Sequence, residues 1–215
     1  MPMIDLAFVL VGQTIPLDHG YGLFSALCKI VPHLHGDKRI GVHPIRGRQS
    51  GPGVLTLIEA SRLRLRLPSE EVAAYLALAG SSLDLDGHRL RVGIPSVESL
   101  IPSASLAARL VTFRHALAPA AFEAGVRRGL DKLGIAGELG FVPTTRAPYI
   151  GQPKRRVVRV RDQRVVGFAL RVTNLTAGES LKLQEEGLGG RRRMGCGLFV
   201  PISRTAQTLP DSEAG

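Results

Sequence analysis

The chain opens on strict alternation: Ile4, Leu6, Phe8 and Leu10 are separated by single residues, the period of a strand with one buried face. After Pro16 the period changes. Asp18 is placed to cap a helix in which Leu23, Phe24, Leu27, Ile30 and Val31 recur at helical spacing until Pro32. A loop from Pro32 to Lys38 follows. Strands are then expected over Ile40 to Ile45 and Val54 to Leu67, with Gly47, Gly51, Pro52 and Gly53 punctuating the turn between them. Ser69, Glu70 and Glu71 open a second helix whose Val72, Leu76 and Ala79 share a face. A strand or hairpin over Leu83 to Ile94 turns at Asp86-Gly87.

That order, β-α-β-β-α-β, recurs in the second half. A strand near Ala107 to His115 leads into a helix with Phe122, Val126, Leu130 and Leu133 on one face. Paired strands at Arg156 to Val160 and Val165 to Val172, a helix from Thr176 through Leu188 and a last strand from Gly197 to Ile202 complete it. The expected fold class is α+β, two tandem ferredoxin-like modules, an arrangement also used by RNA-recognition modules. The divide falls around Pro95 to Pro102, giving modules of 1–96 and 97–204 and a disordered polar tail over 205–215. The repetition is one of element order, with no matching repeat of sequence.

Composition narrows the partner. A 44% hydrophobic content over 215 residues allows a proper core, while 28 Lys and Arg against 18 Asp and Glu give a formal charge of +10. With a sequence pI near 10.6, the favoured partner is a polyanion, nucleic acid first. No apolar run approaches the ~20 residues needed to span a bilayer, and the first residues lack a signal-peptide layout, so the expectation is a soluble cytoplasmic protein without a membrane partner. Cys28 and Cys196 are too few and too isolated for a disulfide framework or a zinc site. No cofactor is expected.

The basic charge is concentrated. Arg62, Arg64 and Arg66 alternate with Leu63, Leu65 and Leu67, so a strand there would bury leucines and turn a row of guanidinium groups toward a phosphate backbone. Lys154, Arg155, Arg156, Arg159, Arg161 and Arg164 surround a predicted hairpin; for either stretch the plainer reading is a solvated strand face. An aromatic content of 5% with no Trp speaks against a binder built from stacking platforms and for recognition through backbone and shape.

The most informative segment is Gly187-Leu188-Gly189-Gly190-Arg191-Arg192-Arg193-Met194-Gly195-Cys196-Gly197, between a predicted helix and the final strand. Glycines let backbone N–H groups approach phosphates and the adjacent arginines add charge. It lacks the Gly-Lys-Ser/Thr of a nucleotide-binding loop and follows a helix, unlike a dinucleotide fingerprint. Followed by Leu198-Phe199-Val200-Pro201, it resembles the C-terminal glycine-rich signature of the CRISPR-associated Cas6 endoribonucleases of the RAMP superfamily, most closely the myxobacterial-type branch. Ile15-Pro16-Leu17-Asp18-His19-Gly20-Tyr21 and Ile40-Gly41-Val42-His43-Pro44-Ile45-Arg46-Gly47 resemble the same branch, so the likeness spans most of Ile4 to Pro201.

The resemblance implies cleavage of precursor CRISPR RNA, within a repeat expected to form a hairpin, to a mature guide that is often retained with other subunits of an interference complex. RNA is cut without a metal ion when a base takes the proton of its own 2′-hydroxyl and an acid protonates the leaving 5′-oxygen, leaving 2′,3′-cyclic phosphate and 5′-hydroxyl ends. The resemblance puts a catalytic histidine on the first helix or in the loop after it. His35 fits the loop and His19 the helix start, with His33 and His43 behind them. Tyr21 is a candidate to orient the base, and Lys38 to stabilise the phosphorane charge. For RNA binding the candidates are Gly189, Gly190, Arg191, Arg192, Arg193 and Gly195, the row Arg62, Arg64 and Arg66, and Lys154, Arg155 and Arg156. No metal ligands are expected, since Asp84 and Asp86 are explained by a hairpin turn. The alternative is a non-catalytic RNA-binding subunit of the same superfamily.

Overall fold

The computed structural model describes residues 2–114, 118–145 and 147–202. The first compact unit ends at Ser99 and the second begins at Leu100, inside the stretch where the sequence changes character. The expected tail over 205–215 lies outside the described residues, as does His115 at the end of the expected strand.

In the first unit the strands are β1 (Met3–Val11), β2 (Thr14–Pro16), β3 (Gly41–Val42), β4 (Arg48–Gly51), β5 (Val54–Thr56), β6 (Arg62–Pro68), β7 (Ser82–Leu85) and β8 (His88–Ser99). The helices are α1 (Gly20–Ile30) and the four-residue α2 (Val72–Tyr75). The main sheet runs β3-β6-β1-β8-β7 with every pair antiparallel. Read as β3, β6, β1 and β8, that is the neighbour order of a ferredoxin-like module, with β7 added beside β8. A separate three-stranded sheet, β2-β5-β4, is inserted after the first strand.

In the second unit β9 (Leu106–Val111), α3 (Pro119–Leu133), β10 (Glu138–Phe141), β11 (Arg155–Val160), β12 (Gln163–Thr173), α4 (Ala177–Glu186) and β13 (Phe199–Pro201) follow in order. Its sheet, β10-β12-β9-β13, has the same neighbour order, and β11 pairs with the far half of β12 as a hairpin. The two tandem ferredoxin-like modules are thus present in the strand topology.

Several elements follow from their residues directly. Phe122, Val126 and Leu130, four apart, are the buried stripe of α3, which ends where Gly134 takes a left-handed φ of 65°. Thr176 caps α4 in a reciprocal pair with Glu179. Asp86 and Gly87 both have positive φ, as the two-residue turn between β7 and β8 requires.

Others depart from expectation. Helix α1 is capped at His19, not Asp18, because the His19 carbonyl accepts the first helical bond, from the Leu23 N–H at 2.7 Å. Val54 to Leu67 is two strands, interrupted at Leu57 to Ser61. The helix expected at Ser69 is one turn of α-helix flanked by 3₁₀ turns, so its buried residues are Tyr75 and Leu78, three apart, while Leu76 is exposed. Helix α4 stops at Glu186, two residues before Leu188, at a positive-φ Gly187. The four-residue β10 carried too short a pattern to be seen.

The central strands hold the most informative packing. Leu63, Leu65 and Leu67 of β6 are fully buried against Leu6 and Phe8 of β1 on one face. On the other, Asp5 lies opposite Arg66 and takes a two-pronged bond from it, Nε to Oδ1 at 2.8 Å and Nη2 to Oδ2 at 2.9 Å. Burial raises the Asp5 carboxyl, but His43 and Arg66 outweigh it and hold Asp5 well below the usual carboxylate range. His43 Nε2 stands 3.4 Å from Asp5 Oδ1. Burial pushes the His43 imidazole down, aided by Arg66 and Arg64 against the opposing pull of Asp5. No described helix is long and apolar enough to cross a membrane.

A buried neutral imidazole makes stability depend on pH with a definite sign. Below its ordinary value of 6.5 the unfolded chain takes up a proton at His43 that the folded protein refuses, so stability falls as pH drops through that range. Urea midpoints measured from pH 7.5 to pH 5 should fall more steeply for the wild type than for His43→Gln. Equal slopes would show that His43 is not the group held neutral.

Candidate functional site

The histidines before and after α1 have different environments. His19 is buried, its Nδ1 2.9 Å from the Pro16 carbonyl and its Nε2 accepting the Ile45 N–H at 3.0 Å. A carbonyl can only accept and an amide N–H only donate, so the ring is neutral with its proton on Nδ1. Both nitrogens are committed to holding the start of α1 against the segment after β3. His43 belongs to the Asp5 and Arg66 cluster described above.

The exposed rings are His33 and His35, on a 3₁₀ turn, Pro32–His35, that Leu34 anchors by full burial. His35 stacks on Phe24 of α1, with centroids 5.9 Å apart and planes at 25°. Phe24 lies three residues beyond Tyr21, and residues at that spacing are neighbours on a helix, about 5–6 Å between Cβ atoms. The turn therefore folds back along α1 as far as Phe24, three residues from Tyr21. Lys38, also exposed, follows three residues on.

The turn is braced by residues the sequence did not single out. His33 meets Tyr75 edge-on at 5.0 Å. Arg39 forks onto Asp37 at 3.1 and 2.7 Å and reaches Glu71 Oε1 at 2.6 Å, tying the loop to the short turn after β6. Burial pushes the Tyr75 phenol up to about 12, with Asp37 and Glu71 adding to it. No local spacing signals contacts made across 32 residues.

The arginine row of β6 divides. Arg66 is 1% exposed and paired with Asp5, which corrects the expectation that it faces phosphates. Arg64 forks onto Glu98 at 2.9 and 3.2 Å, and Arg62 donates to the Glu59 and Ser61 carbonyls. Alternation assigned the face correctly; it did not reveal that Asp5 and Glu98 arrive on neighbouring strands. Lys154 is likewise buried, 6% exposed, and its backbone bridges Val142 and Ala169. The exposed part of that basic stretch begins at Arg155.

The glycine-rich loop is a clamped structure. Gly197 N–H donates to the Leu110 carbonyl at 2.7 Å, Gly190 N–H to Thr112 at 3.1 Å and Leu188 N–H to Gly197 at 3.2 Å, fastening the loop to the end of β9. A Cβ on Gly189 would stand 2.4 Å from the Thr112 oxygen, and one on Gly197 2.1 Å from the Leu188 oxygen; both glycines have positive φ. Glycine is required here for contact with the protein's own backbone. Arg191, exposed and left-handed at φ 64°, leads into a 3₁₀ turn, Arg192–Met194, closed by Gly195 at φ 80°. Arg192 folds back beneath Gly187. Cys196 packs with Leu110 and Val158, and Val160 and Val165 join them, so loop and β11–β12 hairpin share a small core. Among the described residues no group of three or more His, Cys, Asp and Glu is arranged to hold a metal ion.

The Cas6 Crispr family profile matches residues 4–204. The CRISPR-associated endonuclease Cas6 of Myxococcus xanthus (strain DK1622) is 44% identical over 214 residues, covering 100% of this chain and 88% of the relative. Among solved structures, a CRISPR-associated protein Cas6 superposes with a TM-score of 0.65 at 12% identity, covering 94% of this chain and 100% of its own. An RAMP protein binding different RNA substrates gives 0.63 at 13%, with the same coverage. At such identities the two structures speak for the fold.

The commitment of both His19 nitrogens sets a stability test. His19→Ala strands the Ile45 N–H and should destabilise the fold by about 1–3 kcal/mol, the cost of an unsatisfied buried donor. Chemical denaturation reads it directly; an unchanged midpoint would mean that the ring does not hold the start of α1.

Proposed function

Since this chain belongs to the Cas6 family, we propose that it is an endoribonuclease that binds CRISPR repeat RNA and cuts it within the repeat without a metal ion. The observation that carries the chemistry is the division of labour among the histidines. His19 has both nitrogens committed to the backbone, whereas His35 is exposed on a turn braced against Phe24.

In this reading His35 moves the proton, taking it from the 2′-hydroxyl or delivering it to the leaving 5′-oxygen. The 2′-oxygen attacks the adjacent phosphorus, the bond to the 5′-oxygen breaks, and the ends are a 2′,3′-cyclic phosphate and a 5′-hydroxyl. Tyr21, on the same helix as the Phe24 that His35 stacks on, orients the ring or the scissile phosphate. Lys38 offsets the charge that builds on the phosphorane oxygens. Arg191, with Arg193 and the hairpin arginines from Arg155 onward, holds the backbone of the substrate and of the retained product. The clamped loop supports this role, because a cation on a rigid frame loses less freedom on binding.

Cleavage in EDTA should give those two ends, and RNA with 2′-deoxy at the scissile nucleotide should bind and resist cutting. His35→Ala should lower the cleavage rate roughly 10²-fold or more with little change in affinity, as for loss of an acid-base group. Strict dependence on Mg²⁺, or a His35→Ala enzyme at wild-type rate, would refute the mechanism.

Binding has its own test. Replacing Arg191, Arg192 and Arg193 with alanine should weaken RNA binding and flatten its salt dependence, since fewer counterions are released. Arg66→Ala should instead cost folding stability, about 3–5 kcal/mol for breaking a buried pair. An unchanged salt slope in the loop variant would remove the loop from the interface.

A further inference from the structure

The connection between β10 and β11, Val142 to Lys154, takes no part in the histidine site or the glycine-rich loop. It is laced like a hairpin: Lys154 N–H donates to Val142 at 2.8 Å, Thr144 N–H to Gln152 at 2.8 Å and Gly151 N–H to Thr144 at 2.9 Å. Pro143 and Pro153 stand opposite each other at its base. At the tip, Tyr149 is 60% exposed and Ile150 is 68% exposed. Among the described residues Tyr149 is the one phenylalanine or tyrosine left so open, in a chain whose other tyrosines, Tyr21 and Tyr75, are half-buried and fully buried.

Two adjacent large apolar side chains this exposed offer a small patch for something to cover. The surrounding charge says what. Arg155, Arg159 and Arg161 in the hairpin that follows are exposed, and the sequence from Leu139 to Arg161 contains no Asp or Glu. The complementary partner is a polyanion that itself offers flat apolar faces, which is nucleic acid with an unstacked base.

We propose that Tyr149, flanked by Ile150, is a stacking site for an unpaired base of the bound RNA, beside the backbone-binding arginines that begin at Arg155. It rests on the RNA-binding function proposed above and adds a contact that reads an unpaired position. A tyrosine ring suits this, because it has few torsions to freeze and a π-face that accepts any base.

The test uses repeat RNA blocked by 2′-deoxy at the scissile nucleotide, with 2-aminopurine placed at each unpaired position in turn. Tyr149→Ala should weaken binding roughly 5- to 100-fold, the stacking contribution of one base expressed as affinity. Tyr149→Phe should stay within about 2-fold of wild type, since the ring face is kept. One 2-aminopurine position should lose its fluorescence response in Tyr149→Ala alone, and the salt slope should not change, because no charge is removed. Tyr149→Ala at wild-type affinity, with every 2-aminopurine response intact, overturns the proposal, and so does a variant normal toward RNA that has lost a protein partner. Wild-type protein that fails to bind the repeat would overturn the RNA-binding function itself, and this site with it.

Discussion

A carboxylate and a guanidinium cannot sit inside a protein unless they meet, and the pairing of Asp5 with Arg66 is the constraint around which the first unit is arranged. The two residues are directly opposite on β1 and β6, the strands at the centre of the sheet. Sliding β6 by one residue would turn Leu63, Leu65 and Leu67 out of the core and strand Asp5 at once. Hydrophobic face and buried charge thus specify the same register. Burial beside the pair pushes the His43 imidazole down, against the pull of Asp5.

From that frame the chemistry of each histidine is decided by what lies within hydrogen-bond reach. His19 is consumed by two backbone groups and His43 by burial beside charged neighbours, while His33, exposed, meets Tyr75 edge-on. His35 is left exposed on a turn that Phe24 supports and that the bonds of Arg39 to Asp37 and Glu71 hold in place. Four imidazoles of similar intrinsic basicity become two buried rings and two exposed ones, of which His35 is the proposed proton carrier. The glycine-rich loop shows the same logic in its backbone: Gly189 and Gly197 are pressed on carbonyls, and that close fit turns a sequence that reads as flexible into a fixed platform for Arg191.

The second unit extends the idea to surfaces. Its β11–β12 hairpin and the glycine-rich loop are joined through Cys196, Val158 and Leu110, so two basic segments some thirty residues apart in the chain share one support. Cys196 stands in the sequence as an isolated cysteine without redox or metal use; in the fold it is a small apolar filler at that junction.

What the sequence determined by itself was whatever depends on period and local chemistry. Alternation located β1 and β6, the four-residue spacing of Phe122, Val126 and Leu130 located α3, Asp86-Gly87 located a hairpin turn, and the order of these elements foretold two ferredoxin-like modules. The motifs around His19 and Gly187 pointed to the family, whose profile matches residues 4–204. Tertiary structure alone decided which polar groups meet. Arg66 and Lys154 read as surface cations and are buried, Arg66 against Asp5 of a neighbouring strand, and His19, a catalytic candidate by sequence, has its ring nitrogens against Pro16 and Ile45. A side chain's charge is written in the sequence, but its availability depends on partners that only the packed fold supplies.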